Sequence, residues 1–423
     1  MMAINSQSKE VLKNGLPAIA RRARTALRSL KGIFLYSIHA FWAVPVLIAI
    51  RGLRPLVLVR VGAFRFERIG HFAADVGQRK AEAIVDRLGR KLDLWYLPDD
   101  NKCSNAYWAT ITRRWLRVHS SVRYLVFWNR FLPFGNVHFL DSSGGCGSRD
   151  VYGFLEKAKL RLPITSDEEL EAKAWMAQFG WKENDLFVCL SVRDSKYLAK
   201  HISQYDWSYH SYRDSDIQTY IRGIEYLVSQ GIFVFRMGKD MAQEVDYVHP
   251  RFVDYAFRKD KSDFLDVWLF SNCSLCVTTG SGPDMISDVF RRPILMLNFL
   301  PLQGAWSWSN ALIYPKILKF EHSGRLLSMQ EYLDHSYTET SSYKDAGIEV
   351  NDLSDHEIVS AVKECIDRLR FFSKTSFVDG PAQKRFREMF ISHRSFRSHH
   401  EFIHPEFKLA STFLNYAGEP FLK

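Results

Sequence analysis

The sequence has few cysteines for its length. Its 423 residues contain 6 of them, scattered along the chain, and three lie in apolar runs typical of strands. This pattern predicts buried free thiols in a reducing compartment and excludes a disulfide framework. Cys273 and Cys276 form a lone CxxC without a second pair or a histidine at zinc spacing. Core packing is therefore favoured over metal binding or redox chemistry.

The sequence also lacks the motifs of several enzyme classes. It has no HExxH, no GxSxG with triad partners and no paired-carboxylate signature, so nothing favours a hydrolase. The GxGxxG fingerprint is missing as well, which argues against a nucleotide-dependent epimerase or dehydrogenase. A hydrophobic content of 47% with 25% charged residues excludes a disordered protein and a polytopic membrane protein.

Positive charge is in excess and unevenly distributed. Lys and Arg number 57 against 47 Asp and Glu, which gives a formal charge of +10. Such a balance favours anionic partners: nucleic acid, anionic lipid head groups or phosphorylated substrates. Seven basic residues lie between residues 1 and 31, opposed only by Glu10. Much of the excess therefore belongs to an N-terminal arm.

The arm leads into a long apolar run, Ile33 to Ile50. A secretory signal is disfavoured, because the basic leader is long and no small-x-small cleavage site follows. We favour an interfacial helix with a basic lead, which would hold the protein on the anionic inner face of the cytoplasmic membrane. A membrane span and a helix packed on the adjacent domain are the alternatives. Against a span, a predicted core strand at Pro55–Val61 follows with almost no linker.

From Pro55 onward, short apolar strands alternate with helical stretches, which predicts βαβ units and parallel sheets. The fold class is α/β, with two Rossmann-like doubly wound domains facing across a cleft and an N-terminal helical arm. Arg123–Phe127 and Val137–Leu140 are predicted as strands. A helix over Ser166–Gly180 is predicted with Ser166 as its cap and Glu169 completing a capping box. The predicted ranges are a basic arm and apolar helix (1–50), a first Rossmann-like domain (51–165), a second Rossmann-like domain (166–372) and a C-terminal tail (373–423).

Ligands of open α/β sheets bind beyond the carboxyl ends of the strands. Three strands of the second predicted domain end at basic residues or at a Gly-Ser-Gly turn that opens a helix. Such a turn can direct backbone N–H groups at an anion. The sequence therefore predicts a diphosphate cradle, with structural ion pairs and a plain tight turn as the alternatives. Its residues are Arg193, Asp194, Arg236, Gly238, Lys239, Gly280, Ser281 and Gly282.

In the first predicted domain, a long loop after the first strand opens a helix at Gly70 and His71. A histidine there can act as general base toward a substrate hydroxyl, because its ordinary pKa lies near neutrality. The alternative is a helix N-terminal histidine satisfied by a neighbour. Glu67 and Asp75 are the substitute candidates for the base, and Arg68 and Gly70 are predicted to contact substrate.

The segment from Tyr209 to Asp216 precedes a predicted helix. His210, Tyr212 and Arg213 suit contacts to a sugar or a base. The Asp214-x-Asp216 pair is similar to the metal-binding DxD of some sugar-nucleotide enzymes, but helix capping is the favoured interpretation. The sequence therefore predicts no metal site.

Five motifs occur in a fixed order along residues 54–330, and together they resemble a family of bacterial glycosyltransferases of the GT-B type from polysaccharide biosynthesis contexts. They are Arg68-Ile69-Gly70-His71-Phe72, Ser191-Val192-Arg193-Asp194, Tyr209 to Ile217, Phe235-Arg236-Met237-Gly238-Lys239 and Thr279-Gly280-Ser281-Gly282-Pro283. More distantly, the second domain is similar to that of heptosyl- and fucosyltransferase-like enzymes. The resemblance implies a nucleotide-sugar donor bound mainly by the second domain, an acceptor bound by the first, and no obligatory metal.

The resulting hypothesis is a metal-independent glycosyltransferase without a resident cofactor. It would move a sugar from a nucleotide sugar to a lipid-linked or polysaccharide acceptor at the cytoplasmic membrane face. The alternative is a non-catalytic polyanion binder on a Rossmann-like scaffold. Nucleic acid is disfavoured as a partner, because the aromatic residues fall mostly in apolar periodic runs and not in a basic stripe.

Overall fold

The structure is a computed structural model that describes residues 34–86, 90–98, 103–194, 196, 208–371 and 380–423. The strands of this part of the chain are β1 (Leu58–Ala63), β2 (Lys91–Tyr96), β3 (Phe139–Leu140), β4 (Phe187–Ser191), β5 (Phe233–Arg236), β6 (Phe252–Val253), β7 (Leu275–Thr278), β8 (Ile294–Phe299), β9 (Ala311–Pro315), β10 (Ile317–Phe320), β11 (Ile348–Asn351) and β12 (Lys408–Leu409).

The α-helices over the same ranges are α1 (Phe34–Gly52), α2 (Ile69–Val85), α3 (Ala106–Trp115), α4 (Val122–Asn129), α5 (Phe154–Ala158), α6 (Ser166–Ala177), α7 (Ile221–Ser229), α8 (Asp263–Asn272), α9 (Met285–Val289), α10 (Met329–Asp334), α11 (Thr340–Asp345), α12 (Asp355–Phe371), α13 (Pro381–Ser392), α14 (Phe396–His399) and α15 (Ser411–Phe421).

The chain divides into two compact units. The smaller unit consists of the described residues of Met1–Ala63, Leu88–Pro98 and Arg117–Asp141. The larger one contains those of Phe64–Arg87, Asp99–Leu116 and Ser142–Lys423.

The smaller unit has a parallel three-stranded sheet in the order β2-β1-β3. Helices α1 and α4 contribute to its core, where Ala43 and Leu47 from α1 meet Val59 and Val61 of β1 and Leu125 of α4. By length and composition alone, α1 is also apolar enough to cross a membrane. Its buried positions nevertheless belong to the core of the smaller unit.

The prediction of a strand at Arg123–Phe127 is wrong, since these residues lie within α4. Val122, Leu125, Val126 and Asn129 are buried, and their spacing is that of one helix face. A short apolar run does not distinguish a strand from one side of a buried helix. The strand predicted at Val137–Leu140 is shorter than expected, because a 3-10 turn at Gly135–His138 comes before β3.

The larger unit is built on a seven-stranded sheet in the order β12-β9-β8-β7-β4-β5-β6. Every pair in it is parallel. The central strands β4, β7 and β8 are buried along their whole length, as expected for a sheet covered on both faces. The predicted α/β class with parallel sheets is confirmed. How the two predicted domains face each other stays a prediction.

The compact units do not follow the predicted ranges 51–165 and 166–372, because α2 and α3 lie in the larger unit. Helix α2 packs against α9, and a Cβ added at Gly77 would lie only 2.6 Å from Val289 Cγ2. At the start of α3, the Asn105 side chain donates a hydrogen bond to the carbonyl of Asp263, 3.0 Å away. Sequence order does not reveal such pairings between distant segments.

Residues 380–423 of the predicted tail are integrated into the larger unit. Strand β12 pairs with β9 at the edge of the sheet. In α15, Phe413 packs its ring against Tyr314 and Tyr332. A two-residue strand is too short to leave a periodic signal in the sequence.

The N-cap of α6 lies one residue before the predicted one. Thr165 is the N-cap, its hydroxyl accepts from the Glu168 N–H, and the Glu168 carboxylate accepts from the Thr165 N–H. The capping box is therefore present, but it consists of Thr165 and Glu168 and not of Ser166 and Glu169. Both pairs have the same three-residue spacing, so spacing alone could not choose between them.

Candidate functional site

Several strands of the larger sheet end in polar residues at one edge. Strand β4 ends at Ser191 and is followed by Arg193, β7 leads into the Gly280–Gly282 turn, and β8 contains Asn298 near its end. Because these strands are parallel, their carboxyl ends lie at the same edge of the sheet. The hydroxyls of Ser191 and Ser281 are 2.7 Å apart, which brings the ends of β4 and β7 together.

The Gly280–Gly282 turn is organised by its own chain and does not offer free N–H donors. Gly280 has φ +80° and Gly282 φ +106°, a conformation that favours glycine. The N–H groups of Ser281 and Gly282 each donate to the Asp284 carboxylate at 2.8 Å. The Gly280 N–H donates to the Thr278 hydroxyl at 3.0 Å. The expectation that these groups point at a diphosphate is therefore wrong.

Two guanidinium groups lie beside this turn. Arg213 Nη2 donates to the Gly280 carbonyl at 2.7 Å. The Arg193 backbone N–H donates to the Thr279 hydroxyl at 2.9 Å, and its side-chain Nε donates to the Asp214 carboxylate at 3.2 Å. Burial and then the positive charge of Arg193 lower the pKa of Arg213. Two mutually repelling cations at the edge of the sheet make a site where an anion would be stabilised.

A polar network that the sequence analysis missed supports these arginines. Lys316, which is nearly fully buried, donates to the Asp214 carbonyl at 2.7 Å and pairs with the Asp352 carboxylate. Asn298 has φ +52° and donates to the Ser215 hydroxyl at 2.8 Å. The signal available in the sequence was that Lys316 directly follows the apolar run Ala311–Pro315. The lysine fixes Asp214, which in turn fixes Arg193.

The N-terminal turn of α2 is brought against the Gly280–Gly282 turn. A Cβ added at Gly70 would lie 3.1 Å from Gly282 Cα, so the two backbones nearly touch. Two motifs that are some 200 residues apart in the sequence therefore meet within the larger unit. Arg68 is exposed at the N-cap of α2, and its side chain makes no capping hydrogen bond.

His71 lies in this first turn, is exposed, and has its Nδ1 2.9 Å from the Ser148 hydroxyl. A neutral imidazole that donates Nδ1–H to Ser148 keeps the Nε2 lone pair as a proton acceptor. Partial burial lowers the pKa of His71, Asp75 opposes this effect, and the charges of Arg68 and Arg65 add to it. A lowered pKa keeps the imidazole neutral at pH 7, as a general base requires.

The two substitute candidates for the base differ in access. Glu67 is exposed and its carboxylate accepts from the Phe66 N–H at 3.2 Å. Asp75 is fully buried one turn after His71. A carboxylate without solvent exposure cannot touch a substrate, so the expectation that Asp75 could serve as the base is wrong. Its charge acts on the site through the pKa of His71.

The loop Ser142–Ser148, which the sequence analysis also missed, lies beside His71. Gly144, Gly145 and Gly147 all have φ near +60° to +80°. The Arg149 side chain donates to the Cys146 carbonyl at 2.7 Å, and Arg79 donates to the Ser142 carbonyl at 3.0 Å. A Gly-Gly-Cys-Gly stretch was the signal in the sequence, because repeated glycine marks left-handed backbone.

Arg236 does not face solvent, contrary to expectation. Its side chain is fully buried, Nη1 donates to the Asp254 carboxylate at 3.1 Å, and the guanidinium lies 5.3 Å from the centre of the Phe257 ring. This is a structural ion pair. Gly238 has φ +154°, and a Cβ added to it would lie 2.5 Å from the Met241 side chain.

Two other predicted donor-binding residues, Lys239 after β5 and Asp194 after β4, have protein partners. Lys239 pairs with Asp263 at 3.5 Å. The Asp194 carboxylate accepts from the N–H groups of Lys196 and Ala242 at 3.0 and 2.8 Å. Both residues therefore link neighbouring loops of the larger unit.

In the segment from Tyr209 to Asp216, Arg213 is the residue that lies beside the Gly280–Gly282 turn. Tyr212 is buried, with its ring 5.4 Å from that of Tyr343, so it packs against protein. The His210 side chain lies outside the described part of the structure. Asp216 accepts from the Gln218 N–H at 3.0 Å as the N-cap of a 3-10 turn, which confirms capping by Asp216.

Four of the six cysteines are buried, and Cys103 and Cys146 are partly exposed. Cys273 and Cys276 are buried free thiols, which confirms the packing interpretation. Among the described residues, no group of three or more His, Cys, Asp or Glu could hold a metal ion. Metal independence of any reaction stays a prediction.

No family model matches the sequence, and no curated protein matches it. Similar solved structures include a glycosyl transferase family 9 protein from Veillonella parvula, at 10% identity over 74% of this chain and 98% of that one, with a TM-score of 0.45. The E. coli ADP-heptose LPS heptosyltransferase II is 12% identical over 75% and 100%, with a TM-score of 0.38. The iron-containing dodecameric glycosyltransferase TibC of enterotoxigenic E. coli is 12% identical over 75% and 78%, with a TM-score of 0.36. With TM-scores below 0.5, this likeness carries no functional conclusion.

Proposed function

We propose that the protein is a glycosyltransferase that moves a sugar from a nucleotide-sugar donor to a lipid-linked or polysaccharide acceptor at the cytoplasmic membrane face. One observation carries the proposal. Arg193 and Arg213 lie beside the Gly280–Gly282 turn at the carboxyl edge of a parallel sheet, and the first turn of α2 with His71 meets that same turn. The motifs that resemble the glycosyltransferase family contribute these residues.

The two arginines would bind the donor diphosphate. Guanidinium groups form charge-assisted and often bidentate hydrogen bonds with phosphate oxygens. Arg193 and Arg213 repel each other, and a bound diphosphate would relieve this repulsion. As the sugar leaves, negative charge grows on the diphosphate, so the same cations would stabilise the transition state.

The glycine turn would position groups and would not bind phosphate itself. Since Asp284 occupies the N–H groups of Ser281 and Gly282, the turn is rigid. Because neither Gly282 in this turn nor Gly70 in α2 has a side chain, the first turn of α2 can approach closely. His71 would thereby be placed within the same site as the donor diphosphate and would accept the proton of the acceptor hydroxyl.

A thermal-shift screen tests donor binding directly. The full-length protein is mixed with a panel of nucleoside diphosphates and nucleotide sugars, because a ligand that binds the folded state raises its melting temperature by mass action. We expect one nucleotide class to raise the melting temperature with single-site saturation. Stabilisation that is equal for all polyanions and collapses in high salt would instead identify the non-catalytic polyanion binder.

Transfer itself is measured with the nucleotide sugar that the screen selects. The donor is incubated with lipid-linked and with soluble polysaccharide acceptors, and release of free nucleoside diphosphate is followed. We expect release that depends on one acceptor class and is lost in His71→Ala. Tight donor binding without acceptor-dependent release would contradict the proposed transfer.

A further inference from the structure

Helix α1 has two apolar faces, and among the described residues only one of them packs into the core of the smaller unit. Ala43 and Leu47 are fully buried in the core of the smaller unit. Phe34, Phe41 and Ile48 are 68%, 76% and 58% exposed. These three residues are spaced by seven, so they form one stripe along the helix. Exposure of an apolar stripe of this length to water is unfavourable, and such stripes mark sites of interaction with a protein or a membrane.

A second apolar element lies in the same unit, in the loop between α4 and β3. Phe131 is 66% exposed and Phe134 is 75% exposed. Phe134 has φ +59°, a conformation that is rare for a bulky residue and is found mainly where function requires it. Val137 and Phe139, a few residues further along the chain, are also exposed.

The loop is held against α1 by specific contacts. Arg51 in α1 donates from Nε to the Pro133 carbonyl and from Nη2 to the Asn129 side chain, both at 2.8 Å. Ring contacts also run from Tyr36 to Phe127 at 4.4 Å and from Phe127 to Phe131 at 5.4 Å. The helix and the loop therefore form one structural element.

The surrounding charge is strongly positive. The described residues of the smaller unit contain only two acidic residues, Asp93 and Asp141, against eight basic ones. The basic residues are Arg51, Arg54, Arg60, Arg90, Lys91, Arg117, Arg123 and Arg130. The N-terminal arm adds seven more against Glu10. Basic groups around an apolar surface complement an anionic lipid bilayer.

We propose that the smaller unit docks on an anionic lipid bilayer through a docking surface formed by Phe34, Phe41, Ile48, Phe131 and Phe134. Helix α1 lies along the membrane interface and does not cross it, because Ala43 and Leu47 on its other side are committed to the core of the unit. The loop phenylalanines insert beside it. This docking does not depend on the proposed sugar transfer, and binding can be measured without any substrate.

Vesicle co-sedimentation of the full chain tests the docking surface. The vesicles contain 30% phosphatidylglycerol and 70% phosphatidylcholine, with pure phosphatidylcholine for comparison. We expect binding to the anionic vesicles, which weakens roughly tenfold to hundredfold in the double variant Phe131→Ser/Phe134→Ser, because two aromatic side chains no longer leave water. Both residues are largely exposed, so the variant should fold.

The matched control is Leu170→Ser/Val248→Ser. These residues are 65% and 97% exposed and lie in the larger unit, so their loss should leave vesicle binding unchanged. If the phenylalanine variant binds vesicles as tightly as the wild type does, the docking surface is refuted. Equal losses in both double variants would also overturn it, since binding would then follow general surface hydrophobicity.

Two further outcomes would show a different occupant or geometry. If a second copy of the chain covers the surface, the wild type is a dimer without lipid and Phe131→Ser/Phe134→Ser is a monomer. Size-exclusion chromatography with light scattering measures this difference. Resistance of the cellular protein to extraction by alkaline carbonate would show that α1 spans the bilayer. If the surface docks on a bilayer, the wild type and the double variant have the same oligomeric state without lipid. Alkaline carbonate then releases the cellular protein from the membrane.

Discussion

At the residue scale, the decisive difference lies between arginines that look alike in the sequence. Arg193 and Arg236 each occur directly at or after the end of a strand. The structure places Arg193 beside the glycine turn and buries Arg236 completely against Asp254. Strand-end position predicts which edge an arginine reaches, but the neighbouring loops decide whether it reaches solvent.

We therefore expect opposite results for these two arginines. Arg193→Ala should weaken donor binding about ten- to hundredfold, because it removes a charge-assisted hydrogen bond, and should change the melting temperature of the ligand-free protein little. Arg236→Ala should destabilise the fold by about 3 kcal/mol, since it leaves the Asp254 carboxylate without its cationic partner. Calorimetry of donor binding and thermal melting of both variants measure this contrast. A normal melting temperature in Arg236→Ala would contradict the structural ion pair.

His71 allows a prediction of pH dependence. Its imidazole must be neutral to accept a proton, and partial burial of the ring lowers its pKa below the ordinary value of 6.5. Transfer should therefore rise with pH along an acid limb whose midpoint lies below pH 6.5. His71→Ala should reduce kcat by roughly 10²- to 10⁴-fold and abolish this limb.

The pH profile of a second variant, Asp75→Asn, tests the same role, because this change removes the charge that raises the pKa of His71. The acid limb should move to lower pH in this variant. A purely structural role for His71 would leave the pH profile of any residual activity unchanged.

At the element scale, the start of α6 gives a test with a built-in control. Thr165→Ala removes the hydroxyl that caps the Glu168 N–H, and it should cost about 1 kcal/mol of stability. Ser166→Ala, one residue along, should stay within about 0.5 kcal/mol of the wild type. Chemical denaturation of both variants measures the difference. A larger effect for Ser166→Ala would place the cap where the sequence pattern first suggested it.

At the scale of the whole molecule, α1 contributes both to the core of the smaller unit and to the proposed docking surface. Deleting residues 1–50 would remove Ala43, Leu47 and Ile50 from the core of the smaller unit. We expect that truncation to lower the melting temperature and to cause aggregation. Deleting residues 1–31 alone should preserve the melting temperature and weaken binding to anionic vesicles, because the basic arm is lost.

The two truncations are compared by thermal melting and by vesicle co-sedimentation. A truncation of residues 1–50 that remains soluble and melts like the wild type would show that α1 is dispensable for the core. Unchanged vesicle binding after removal of residues 1–31 would show that the arm contributes no electrostatic attraction.

The sequence by itself determined the α/β class, because alternating short apolar strands and amphipathic helices reflect local periodicity that each segment carries alone. It also identified His71, Arg193, Arg213 and the Gly280–Gly282 turn as candidate site residues, since they stand at strand ends, at a helix start or, for Arg213, in a polar loop before a predicted helix. Only the tertiary structure decided that Asp284 occupies the N–H groups of the turn, that Arg236 is buried, and that Lys316 supports the site. These outcomes depend on contacts between segments distant in the chain, and burial at such contacts sets whether a polar group meets a ligand or another residue.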